Sequence, residues 1–213
     1  GATLVCVPEY RWAGGLTLPK PVTLVGGMLI GPVVCGAPRI SFKQTAFLGQ
    51  HKDHTLVTTA EQTLIDGGIL MGSQSGQRRG IAANSAGVII RNTSITNIWH
   101  SQDAQAIAGW DGTKDLLIED CPAIEASGEN IMFGGSDPSN ESRIPQRITV
   151  RRCTLSKPLV WRGMANCTIK NLFEVKNAKH VVVDDVSMSN CWVHGQTGFG
   201  ILVTVRNQDG TAP

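Results

Sequence analysis

At 213 residues the chain is long enough for one substantial core and short for two domains. Charged residues make up 17% and aromatics 5%, against 24 glycines, a composition that suits a turn-rich β architecture better than a helical bundle. A net charge of +2 with no run of five Lys/Arg argues against a nucleic-acid partner, and no stretch nears the roughly 20 apolar residues of a membrane helix.

The chain opens at Gly1 rather than Met, as a processed or excised piece would. The segment Val22–Val34, "VTLVGGMLIGPVV", is apolar but short and broken by Gly and Pro, so it reads as strands and turns. Six dispersed cysteines, from Cys6 to Cys191, form no CxxC pair, which removes zinc-ribbon and thioredoxin-type readings. They are expected as small buried hydrophobes, with a Cys6–Cys35 disulfide left open for a secreted chain. His51 and His54 in "HKDH" lack further converging ligands.

From Gly87 onward the chain repeats one pattern: "GVIIRNTSI", "DLLIEDCPAI", "RITVRRCTL" and "HVVVDDVSM". Each carries an aliphatic triplet, two polar residues, a small residue and another apolar one. Taking Ile90, Ile118, Val150 and Val183 as equivalent gives steps of 28, 32 and 33 residues. A second series interleaves: "RGIAANS", "QAIAGWD", "NIMFGGSD", "NLFEVKN" and "GILVTVRN". Two strand types alternating at this period, with no helical pattern between them, predict a solenoid. A sandwich would need tight hairpin turns between matched runs, and Asp66-Gly67 and Asp111-Gly112 do not sit between such runs. In the solenoid Thr93, Cys121, Cys153 and Val186 form one ladder. Asn84, Asn177 and Asn207 form part of another, at turns where Asn tolerates the left-handed region.

Alternation in the second series points Ile107, Ile131, Phe173, Val175, Val203 and Val205 inward. Ala108, Met132, Glu174, Lys176, Leu202, Thr204 and Arg206 then face outward. Glu174, Lys176 and Arg206 would thus form an acid–base cluster on one outer sheet. Opposite charges in register also stabilise a sheet face by about 0.2–1 kcal/mol without further purpose. Asp137 sits on a Gly/Ser/Pro loop, where binding residues collect. Trp99, Trp110, Trp161 and Trp192 recur near strand ends: exposed, they would stack on sugar rings, and the recurrence of Trp99 and Trp192 favours burial. Asp53, Asp66, Asp103 and Asp111 are candidate paired acids of a glycoside hydrolase.

The opening "GATLVCVPEYRWAGGLTLPKPVTLVGG" resembles the first turn of parallel β-helix proteins of the pectin-lyase-like superfamily. The stretch from about Gly67 to Gly210 resembles a group of largely uncharacterised bacterial β-helix proteins within it. The resemblance implies an all-β, right-handed single-stranded parallel β-helix, one domain over residues 1–213. Members of that group continue with further coils, so this chain is expected to be incomplete or partner-capped near Pro213, with self-association through an open C-terminal edge. "GENIMFGG" resembles the Gly-Glu-x-Ile-x-x-Gly of alginate and chondroitin lyases. By that resemblance Lys176 and Arg206 take catalytic roles and Glu174 binds Ca²⁺, although the carboxylates in hand are too few for the six or more oxygens the ion prefers.

The expected function is recognition of a polysaccharide at Glu174, Thr204, Trp110 and Asp137, with lyase chemistry on a uronate polymer as its catalytic form. A non-catalytic surface or phage-type adhesin is the alternative. The expected location is extracellular.

Overall fold

The computed structural model describes residues 1–7, 9–50, 53–138 and 140–205. The chain winds as a solenoid of parallel strands, and strand pairing links equivalent positions of successive coils. Among the described residues the strands form one sheet of twelve and one of eight. The eight-stranded sheet takes one strand per coil in chain order, among them Arg79–Ala83, Gln105–Gly109, Glu129–Phe133, Phe173–Val175 and Ile201–Val203.

The two repeats predicted from sequence are these two sheets. Ile90 pairs with Ile118, Ile118 with Val150 and Val150 with Val183. In the second sheet Leu56, Ile81, Ile107, Ile131, Phe173 and Ile201 stand in one register. Each stack puts like side chains over like about 4.8 Å apart, so one apolar column runs the length of the coil. Phe42, Ile65, Ile90, Ile118 and Val150 fill one side of that column, and Leu56, Ile81, Ile107, Ile131 and Phe173 the other. Cys121 and Cys153 are buried in the predicted small-residue ladder, with Val186 paired to Cys153. All six cysteines are free thiols, Cys6 included.

The first sheet turns a corner through residues in the left-handed region: Asn92, Asp120, Arg152 and Asp185 have φ of 52°, 53°, 50° and 50°. Such a bend is uncommon for a side chain as large as arginine. Here Arg152 is held by Asp120 of the previous coil, at 2.6 and 2.9 Å. One position earlier, Lys43, Asp66, Arg91, Glu119, Arg151 and Asp184 stand in register and alternate in sign. Arg91 binds Asp66 at 2.8 Å and Arg151 binds Glu119 at 2.7 Å. This face is a structural charge ladder, each exposed pair contributing about 0–1 kcal/mol.

The predicted asparagine ladder is corrected. Ala82, Ala108, Met132 and Glu174 share a register, so Asn84 lies level with Trp110 and Asn177 with Gly135, coils apart. Neither adopts a positive φ. Each instead ties neighbouring coils: the Trp110 N–H donates to Asn84 Oδ1 at 3.0 Å, and the Gly135 N–H to Asn177 Oδ1 at 2.6 Å. Asn207 lies outside the described residues.

Among the described residues, Lys179–Ser189 pairs only with Gln146–Ser156. Val183 is therefore 36% exposed, while its register partner Val150 is fully buried. Val203 and Val205, expected inward, are exposed for the same reason. Among the described residues no helix is long and apolar enough to cross a membrane.

Candidate functional site

On the outer face of the eight-stranded sheet, three successive strands begin with a polar residue in register: Arg79, Gln105 and Glu129. Three positions further on, Ala82 and Ala108 are small, then Met132 and Glu174 follow. Small side chains between polar ones leave a depression. It becomes a pocket of about 220 Å³ bordered by Arg79, Asp103, Gln105, Trp110, Glu129 and Lys176, with Met132 and the Gly134–Gly135 turn completing its wall. Gly134 has a φ of 83°, and a Cβ there would lie 2.1 Å from Asn177 Oδ1. Only glycine lets this rim close against the asparagine.

The pocket's electrostatics follow from burial. Glu129 is 1% exposed. Gln105 Nε2 donates to its Oε2 at 2.6 Å, and Lys170 Nζ lies 3.8 Å from its Oε1. Burial pushes the Glu129 carboxyl above the ordinary glutamate value. Lys170 and Gln105 oppose the rise, while the nearby charges of Glu174 and Asp103 add to it. Asp103 moves the opposite way: partial burial works against its charge, but the hydrogen bond and charge of Lys170 hold it below the ordinary aspartate value. Lys170, also partly buried, is held above the ordinary lysine value by Glu129 and Asp103.

Arg79 differs from these paired groups. Its guanidinium lies over the Trp110 ring, 5.1 Å from the centroid. Among the described residues it has no salt bridge, and its Nε is buried with no hydrogen-bond partner. Burial lowers its proton affinity, although an arginine stays charged throughout the ordinary pH range.

Of the residues expected from sequence, Lys176 and Trp110 border the pocket. Glu174 does not face open solvent. It is 2% exposed, receives Asn171 Nδ2 at 3.0 Å and lies 3.8 Å from Lys176 Nζ. Thr204 lies one coil further on, where its N–H donates to the Val175 carbonyl at 2.9 Å, away from the pocket lining. Asp137 is half-buried just beyond the rim and does not border the pocket. Arg206 and His51 lie outside the described residues. Of the candidate paired acids, Asp103 alone is at the pocket: Asp66 is bound to Arg91, Asp111 to Arg143, and Asp53 lies 3.6 Å from Arg78. Trp161 is buried, and Trp99 and Trp192 pack beside it in a satellite cluster away from the main core.

The donor set does not fit Ca²⁺. Glu174 is engaged by Asn171 and Lys176, and among the described residues no three His, Cys, Asp or Glu converge as metal ligands.

Arg79 and Gln105 were within reach of the sequence, each opening a segment of the second repeat, and Glu129 stands one residue before the next segment. Lys170 was not, because its partner Asp103 is 67 residues away across a long coil. No family model, no curated protein and no solved structure matches the chain.

Proposed function

We propose that this pocket binds an acidic, uronate-containing polysaccharide and cleaves it by β-elimination. The observation that carries the reading is Arg79, a half-buried cation on an aromatic face at the pocket, its Nε buried without a hydrogen-bond partner and its charge without an ion pair among the described residues. A uronate carboxylate supplies the missing anion in bidentate form, and Trp110 offers an apolar surface for a sugar ring. Glu129 strengthens the case. With its carboxyl biased toward the neutral form, Glu129 sets less negative charge against an acidic ligand at Arg79.

In the proposed reaction Arg79 neutralises the substrate carboxylate and so acidifies the C5 proton. The Lys176 amine takes that proton, the electron pair forms the C4–C5 double bond, and the C4–O bond breaks. The leaving oxygen takes its proton from the Glu129 carboxyl. Right-handed winding, kinship with the pectin-lyase-like superfamily and an extracellular location belong to the same proposal. The long, ordered stacking of parallel strands and the outer-sheet position of the pocket support it.

The opposite displacements of Asp103 and Glu129 favour a second reading, glycoside hydrolysis with Glu129 as acid and Asp103 as its ionised partner. One experiment separates them: incubation with alginate, pectate and chondroitin, with and without Ca²⁺, following both ultraviolet absorbance and reducing ends. Elimination gives an absorbing unsaturated uronate, abolished in folded Lys176→Ala. Reducing ends without the chromophore replace it by hydrolysis. Binding without either product leaves the adhesin alternative, and neither binding nor product from folded protein overturns the proposal.

A further inference from the structure

Lys157 follows the strand Gln146–Ser156 and is fully buried, 0% exposed. Its ammonium lies within hydrogen-bond reach of five oxygens. They are the carbonyls of Ala126 at 2.8 Å, Ser127 at 3.1 Å, Gly128 at 2.6 Å and Asn171 at 3.1 Å, with Asn130 Oδ1 at 3.0 Å. An ammonium has three protons to share among them, and a neutral amine only two. The arrangement is a cage for a cation, filled by the protein's own side chain.

The cage oxygens belong to the backbone that carries the pocket. Gly128 precedes Glu129, and a Cβ on it would lie 2.2 Å from the Ala104 carbonyl, so this turn is packed tightly. Asn171 follows Lys170, and its Nδ2 donates to Glu174 Oε2 at 3.0 Å. The Ser127 carbonyl also accepts the Lys170 N–H at 3.0 Å. One buried group therefore grips two successive coils, one bearing Glu129 and the next bearing Lys170 and Glu174.

We propose that Lys157 is a positioning residue for the pocket: from the buried side it clamps the turn that presents Glu129 to the turn that presents Lys170 and Glu174. The proposal rests on the pocket being functional, but it can be tested without a ligand. Burial lowers Lys157 to about 8, while Cys191, Glu129 and Cys167, the titratable groups around it, favour its charged form. The clamp therefore loosens in mildly alkaline solution.

The test is a carbon NMR titration of the Glu129 carboxyl in the wild-type protein and in Lys157→Met, which keeps the length of the side chain but cannot serve the carbonyls. The Glu129 midpoint rises by about one pH unit in the variant, as expected on losing a nearby positive charge and the fixed distance to Lys170. The wild-type Glu129 signal also shows a second step near pH 8, absent from the variant. A folded variant with an unchanged midpoint overturns the proposal, because the lost charge and the lost clamp both act on Glu129. Should the variant fail to fold, the wild-type step decides, and its absence overturns the proposal. Failure of the polysaccharide assay leaves these readouts untouched, so the two ideas fail separately.

Discussion

Replacing Glu129 with Gln removes one titrating group and keeps an amide oxygen to accept the Gln105 bond, now 2.6 Å long. The folded carboxyl lies above the ordinary value of 4.5, chiefly through burial. The folded state therefore holds its proton over a window above 4.5 in which the unfolded chain has released it. The stability this contributes is complete below 4.5 and is lost as pH rises through the folded value. One proton sets the steepest slope, about 1.4 kcal/mol per pH unit. Asp103 has the opposite sign. Its depressed value contributes stability above about 3.8 that is lost as pH falls, and it acts in both proteins. The comparison to make is urea unfolding of wild type and Glu129→Gln at a series of pH values from mildly acidic to neutral. Wild type loses ground to the variant as pH rises, by up to that slope. Parallel profiles would refute the reasoning. A wild type that gains on the variant would mean that Lys170 holds Glu129 ionised.

Phe173→Ala removes a buried ring packed edge-on to Phe133, with centroids 6.1 Å apart. Urea unfolding will show a loss of about 3–5 kcal/mol, toward the low end because the covering Ile201 is itself exposed and can relax. Gly134→Ala puts a Cβ where Asn177 Oδ1 stands and forces a positive φ on alanine. It will cost about 1–3 kcal/mol and widen the pocket rim, read as lower stability together with weaker uronate binding.

The sequence carried the architecture well because a solenoid repeats its own local rule. Ile90, Ile118, Val150 and Val183 could be aligned by pattern alone, and the same steps place Arg91, Glu119, Arg151 and Asp184 in a ladder of alternating charge. That ladder shows why opposite charges in register are by themselves poor evidence of a site. The residues that make the pocket depend on depth, which alternation does not encode. Glu174 reads as outward from its neighbours, yet it lies sealed against Asn171. Lys157 reads as a surface loop residue before a proline, yet the chain turns it into the core. Lys170 and Asp103 meet only because a coil 42 residues long brings the segment after Phe133 back over the sheet.

The most direct test of the central claim is calorimetric titration of the wild-type protein with an oligouronate and with the same oligosaccharide after its carboxylates are reduced to alcohols. Arg79 awaiting a carboxylate predicts that the acidic ligand binds at least about tenfold more tightly, a difference of about 1.4 kcal/mol, and that Arg79→Ala erases the preference. Equal affinity for the two ligands, or a preference that survives in folded Arg79→Ala, would contradict the assignment of this pocket to an acidic sugar.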